Sequence, residues 1–159
     1  MAGRARILAP AAPHRIRRIV LLASRFHAPL VRRLVEGARR LLRRAGVPDA
    51  RIHVVWVPGT FELPAAAARL ARRRPRPDAI VALGALLRGE TVQYELLANA
   101  TLAGLTHVAV THAIPVACGV IVAATPAQAR ARAGGRAGNR GEEAAAAALA
   151  VLETLERYR

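Results

Sequence analysis

Apolar residues along this chain fall into short continuous blocks and longer stretches in which they recur every three or four positions. Ile19–Ala23 is a continuous block of the length of a buried strand. Leu30, Leu34, Ala38, Leu42 and Ala45 then recur at helical spacing. Arg32, Arg33, Arg39, Arg40, Arg43 and Arg44 keep largely off that stripe, so an amphipathic helix is expected, ended by Gly46 and Pro48. Ile52–Val57 reads as a second strand, and Pro64 suits the first turn of a helix running through Leu70. Arg72–Pro77 is a basic, proline-bearing loop. Ala79–Gly84 reads as the third strand and Val92–Leu105 as the helix after it. His107–Thr111 reads as a fourth strand, and Pro115–Ala124 holds another short one. Thr125, Pro126 and Gln128 form a helix start, with a capping threonine, proline at the first position and glutamine at the third. A glycine-bearing bend, Gly134–Gly141, precedes a last helix with Ala148, Val151, Leu152 and Leu155 on one face. Glu142 and Glu143 lie near its positive end, where the helix dipole favours them.

Strands alternating with helices predict an α/β protein: a single-domain, three-layer α/β/α sandwich around a mainly parallel four-stranded sheet, flavodoxin-like in arrangement. The domain is expected over residues 16–159, with residues 1–15 a flexible basic arm. The start, MAGRARILAPAAPHRIRR, also has the composition of a transit peptide, but no apolar run suits a secretory signal. Ligands of such sheets bind at the carboxyl ends of strands, which singles out the loops Ala23–His27, Pro58–Glu62, Gly84–Thr91 and Thr111–Pro115.

Composition narrows the classes. With 159 residues the chain can bury one core, and 53% hydrophobic residues argue against disorder. No apolar run reaches the ~18 residues of a membrane helix, so no membrane partner is expected. The single Cys118 excludes an intrachain disulfide and fits a reducing, cytoplasmic setting. Net charge is +15, and all 25 basic residues are arginine. These arginines are spread over many helix faces, and aromatics at 3% are too few for a base-stacking platform. Loose polyanion binding at low salt is expected, but no specific nucleic-acid partner. His27, His53, His107 and His112 lack the spacing of a zinc site, so no metal is expected.

Leu83–Glu95, LGALLRGETVQYE, carries the most chemistry. It is an apolar strand ending in a glycine turn that runs into a helix, and a helix start beside glycine presents free N–H groups suited to phosphate. With Ser24–His27 (SRFH), Trp56–Pro64 (WVPGTFELP) and Ala131–Ala145 (ARAGGRAGNRGEEAA), it resembles the lumazine synthases in order and spacing, over roughly residues 15 to 157.

That resemblance implies a transferase of riboflavin biosynthesis that condenses 5-amino-6-(D-ribitylamino)uracil with 3,4-dihydroxy-2-butanone 4-phosphate to 6,7-dimethyl-8-ribityllumazine, with no cofactor. Its partners would be these small molecules and copies of itself, as a pentamer with sites at subunit interfaces. The short bend AGGRAGNRG has the form found in members that build 60-mer shells. Phe26 matches the family's aromatic that stacks on the pyrimidine. Thr60, Phe61 and Glu62 match the loop holding the ring and the ribityl chain. Ala85, Leu86 and Leu87 match the strand end whose backbone reads the pyrimidine edge. Glu90 and Thr91 match positions that bind the butanone phosphate, with the Glu90 side chain expected to point away. Arg132 matches the phosphate-binding arginine, and Arg140 stands where lysine is usual.

Three positions depart from the pattern. Gln93 occupies the place of the catalytic histidine, and an amide cannot shuttle protons as imidazole does. Cys118 occupies the place of a phenylalanine contributed by a neighbouring subunit. His27 stands where asparagine is common. General acid–base catalysis is worth ~10²–10⁴-fold, whereas proximity supplies effective molarities of ~10⁵–10⁸ M, so a site that gathers both substrates retains part of its rate. The expectation is a slow or retuned synthase, with His27 or the substrate phosphate moving protons. The alternative is a non-catalytic homologue that binds lumazine- or flavin-like ligands or serves as a shell. A basic nucleic-acid-binding protein is a third reading, and it would require a steep salt dependence.

Overall fold

The computed structural model describes residues 16–158. The basic arm expected over residues 1–15 lies outside the described residues. Four strands form one parallel sheet in the order β2-β1-β3-β4: β1 (Ile19–Ser24), β2 (Ile52–Val57), β3 (Ala79–Leu87) and β4 (Val116–Ala123). The helices are α1 (Ala28–Arg44), α2 (Leu63–Ala71), α3 (Gln93–His112), α4 (Pro126–Arg132) and α5 (Arg140–Arg157). A short antiparallel ribbon, β5 (Ala133–Gly135) with β6 (Gly138–Asn139), occupies the glycine bend before α5.

The continuous apolar blocks are strands because both sheet faces are covered. Ile19, Leu21, Ala23, Val81, Leu83 and Ala85 point into a core with α1 and α5. Val20, Leu22, Ile80, Ala82 and Val120 point into a second core with α2 and α3. Alternate side chains of a strand face opposite ways, so two cores need apolar residues at every position. The expected α/β/α layering and the four-stranded parallel sheet are therefore found.

Three expectations need correction. His107–Thr111 is not a strand but the last turns of α3, which runs to His112. Its buried residues, Ala98, Thr101, Leu105 and Val108, keep the three-four spacing of a helix through that stretch. The fourth strand is β4, longer than the short element expected there. As a result Thr111–Pro115 enters β4 at its amino end, opposite the ligand-binding rim, and the fourth rim connection is Ala124–Thr125. In α5 the buried stripe is Gly141, Ala144, Ala145, Ala148 and Leu149, while Val151 and Leu155 are exposed. The buried stripe thus lies nearer the amino end of α5 than the expected one.

The helix starts are well specified. Thr125 Oγ1 accepts the Gln128 N–H at 3.2 Å, and the Gln128 side-chain oxygen accepts the Thr125 N–H at 3.3 Å, completing the expected capping box with Pro126 in the first turn. Thr125→Ala is expected to lower unfolding stability by about 1 kcal/mol, read from urea denaturation midpoints. At α5, buried Asn139 accepts N–H bonds from Gly141 at 2.9 Å and Glu142 at 3.1 Å. It also donates to the Arg33 carbonyl of α1 at 2.8 Å. On the outer side of α1, Arg39 and Arg43 grip Asp49; the Arg39 hydrogen bond is the main reason that carboxyl is held below its usual range.

Candidate active site

In this strand order the chain reverses direction across the sheet between β1 and β3, and the crevice at their carboxyl ends is where such sheets bind ligands. Backbone bonds knit the rim there. The Arg25 N–H donates to the Val57 carbonyl at 2.8 Å and the Phe26 N–H to the Pro58 carbonyl at 3.0 Å, tying the first two loops together. The Arg88 N–H donates to the Ala123 carbonyl at 2.9 Å, tying β3 to β4.

β3 overshoots its neighbour. Its pairing with β1 stops at Leu83, opposite Ala23, whereas its pairing with β4 continues to Leu87, opposite Ala123. Ala85, Leu86 and Leu87 thus have a ladder on one side only. On the other side, backbone N–H and carbonyl groups can meet a polar ring edge. Part of that capacity is already used: Thr60 Oγ1 lies 3.4 Å from the Ala85 carbonyl and 3.4 Å from Ser24 Oγ. Thr60 is buried, so its hydroxyl braces the rim from beneath. A Cβ at Gly84 would stand 2.8 Å from Thr60 Oγ1, which is why the strand carries glycine there.

An open cavity of about 170 Å³ sits on this overshoot, lined by Phe26, His27, Leu86, Leu87, Thr91 and Gln93, with Gly89, Tyr94 and Leu97 completing the wall. Phe26, on the cavity wall, is 65% exposed; Phe61 is 54% exposed but lines neither this cavity nor the one beside α4. Glu62 folds its carboxylate over Gly59, where an added Cβ would lie 2.7 Å from Oε2. Thr91 Oγ1 accepts the Gln93 N–H at 3.4 Å, a long bond at the start of α3. The α3 cap residue, Val92, supplies no side-chain cap; its carbonyl accepts the Glu95 and Leu96 N–H groups, which leaves the Tyr94 N–H open to a ligand. Glu90 is exposed and does not line the cavity. Tyr94 donates its hydroxyl to Glu95 at 2.9 Å, and that carboxylate pushes the phenol up from its usual range.

His27 is the pivot of the rim. It caps α1 in the left-handed conformation, φ 60° and ψ 39°, which costs about 1–2 kcal/mol for a residue with a Cβ. Its ring meets Phe26 edge-on, with centroids 4.7 Å apart. It also lines a second, larger cavity of about 300 Å³ between α1 and α4, where Arg33 and Arg130 stand.

Not every residue singled out from the sequence gathers here. Arg132 and Arg140 line neither cavity. Arg132 is clamped end-on by Glu143, with Nη1 donating to Oε1 at 3.0 Å and Nη2 to Oε2 at 2.7 Å, while Nη1 also donates to the Ala137 carbonyl at 2.7 Å. Of its five donors, Nε–H and one Nη2–H are left as a side-on fork. Arg140 Nη1 reaches the same Glu143 carboxylate at 3.2 Å. Cys118 is half-buried on β4 opposite Ala82, five residues short of the carboxyl rim. Glu143 as the holder of Arg132 was missed in the sequence, where it read as a helix-dipole carboxylate. The available signal was its position three residues after Arg140.

Over residues 17–156 the chain matches the family described as 6,7-dimethyl-8-ribityllumazine synthase. It is 42% identical over 139 residues to the protein of that name from Thermus thermophilus, covering 87% of this chain and 88% of the relative. To its namesake from Gemmatimonas aurantiaca it is 45% identical over 141 residues, covering 89% and 85%. To that from Kineococcus radiotolerans it is 46% identical over 142 residues, again covering 89% and 85%.

Proposed function

Because the chain belongs to the 6,7-dimethyl-8-ribityllumazine synthase family, we propose that it condenses 5-amino-6-(D-ribitylamino)uracil with 3,4-dihydroxy-2-butanone 4-phosphate to the lumazine of riboflavin biosynthesis. The observation that carries this reading is the crevice at the β1–β3 switch, where an exposed aromatic faces one-sided backbone of β3. A pyrimidine stacks on Phe26, and its polar edge meets the backbone of Ala85, Leu86 and Leu87. Glu62 and the Thr60–Phe61 loop hold the ribityl hydroxyls. Thr91 and the open Tyr94 N–H at the start of α3 hold the phosphate of the butanone, with Glu90 turned away.

Arg132 and Arg140 complete the phosphate site from a second copy of the chain, and Cys118 lines that copy's face. Three observations support a shared site. Arg132 carries an unused side-on fork. Among the described residues, no arginine lines the cavity to meet a phosphate. And α3 leaves Leu96, Leu102 and Val110, with Val92 just before it, uncovered. A helix apolar all round is one that is covered on all sides. The assembly is a pentamer with the site between neighbours, and the short β5–β6 ribbon suits closure of pentamers into a shell.

The chemistry is the capture of an amine by a ketone, loss of water, elimination of phosphate and ring closure with loss of a second water. Mixing the protein with both substrates should release orthophosphate and lumazine in equal amounts; phosphate without lumazine, or neither, contradicts the reading. Gln93 sits at the mouth of the reacting cavity but moves no proton, so turnover is slower than a second imidazole would allow. Gln93→His is expected to raise kcat about 10²-fold, read from product absorbance, at the lower end of the ~10²–10⁴-fold range of acid–base catalysis. An unchanged kcat would mean that position 93 does not limit the rate.

A further inference from the structure

Amine capture and dehydration both move protons. The amine nitrogen loses two, and the ketone oxygen must gain two to leave as water. A group that takes and gives protons near neutral pH accelerates this, and it must stand beside the stacked ring. Among the residues lining the cavity, the candidates are few. The Gln93 amide does not titrate in this range, and neither does the Thr91 hydroxyl. The Tyr94 phenol is pushed up by Glu95, away from neutrality. His27 alone carries a side chain of the class that exchanges protons between pH 5 and 8.

Two further observations point to the same residue. The imidazole is held against the edge of Phe26, 4.7 Å between centroids at 75°, so a ring lying on Phe26 comes within its reach. The backbone of His27 is held left-handed, a conformation that glycine or asparagine adopts more readily, and strained residues of this kind cluster at working sites. Resting on the synthase reading above, we propose that His27 is the catalytic proton carrier of this chain. It takes one proton from the attacking 5-amino nitrogen as the N–C bond forms and gives it to the ketone oxygen, making the carbinol. It then moves the second nitrogen proton to the carbinol oxygen as the C–O bond breaks, giving the imine and water and ending unchanged.

The groups facing His27 are Arg33 on α1, Arg130 on α4 and Tyr94 on α3, with Arg25 two residues before it in the same loop. None of these is a carboxylate.

The test uses His27→Asn, which suits the left-handed backbone, and the same change combined with Gln93→His. His27→Asn is expected to lower kcat about 100-fold with KM for both substrates within twofold. It should also remove an ionisation near neutral pH from the kcat profile, and added imidazole should restore part of the rate. Gln93→His on the His27→Asn background should recover most of the loss, by supplying imidazole from another residue of the same cavity. A His27→Asn protein with the parent kcat and pH profile overturns the proposal. So does one whose fall is neither rescued by imidazole nor by Gln93→His, since that marks a packing role. If the parent chain makes no lumazine at all, the synthase reading itself fails, an outcome distinct from both.

Discussion

Replacing Gly141 by alanine is expected to cost about 3 kcal/mol or more of unfolding stability, at the upper end of the 1–3 kcal/mol typical of overpacking. Helix propensity alone argues the other way, since alanine in a helix is favoured over glycine by about 1 kcal/mol. Packing decides the sign. A Cβ at Gly141 falls 2.7 Å from the Leu34 carbonyl carbon and closer still to its oxygen, and this is α1 backbone, which cannot swing aside. Asn139, which caps α5 and bonds the Arg33 carbonyl, holds the same contact closed from the next turn. Gly37 adds to it, because a Cβ there would meet the Asn139 side chain. For a domain of this size the loss corresponds to a fall in Tm of roughly 6–12 °C by calorimetry. Gly89→Ala is the matched control: its Cβ meets nothing within 4 Å, so stability should change little. Equal Tm values for the two variants would show that α1 and α5 do not meet as closely as described.

Arg132→Ala is expected to lower kcat/KM for the phosphorylated butanone about 10²–10³-fold, the usual loss when a preorganised donor to a developing charge is removed. The reasoning is geometric. Glu143 grips the end of the guanidinium and leaves the Nε side as a fork, and a fork of two parallel N–H groups matches two phosphate oxygens. Arg132→Lys should recover little, because an ammonium cannot keep the Glu143 clamp and the phosphate in one plane. Glu143→Gln should cost less, about tenfold, since it loosens the guanidinium without removing its charge. KM for the ribitylaminouracil should stay near its parent value in all three. Saturation kinetics with each substrate varied in turn checks this, and a uniform loss towards both substrates would place Arg132 outside the phosphate site.

The first three strands, the α1 stripe and the Thr125 capping box were readable because each is a local pattern: a continuous apolar block, a three-four repeat, a side chain three residues from its acceptor. The carboxyl half of α3 was not readable for the opposite reason. There an exposed Val110 follows buried Val108 by two residues, which blurs the helical period, and His107–Thr111 resembles a strand. The site divides in the same way. Phe26, Leu86, Leu87, Thr91 and Gln93 follow from the family resemblance, in or beside loops that the strand-end rule also singles out, and the structure gathers them in one cavity. The inward turn of Thr60, the grip of Glu143 on Arg132 and the Asn139–Arg33 bond are contacts between distant segments, the last across 106 residues, and no local pattern announces them.

The central claim is that the β1–β3 crevice brings the two substrates together productively. It is tested most directly by the initial rate of lumazine formation at saturating levels of both, followed by absorbance against the same mixture without protein. The account predicts a rate that saturates in each substrate and exceeds the uncatalysed condensation by at least about 10³-fold, from proximity alone. A rate equal to the protein-free background, rising linearly with substrate and showing no saturation, would contradict it.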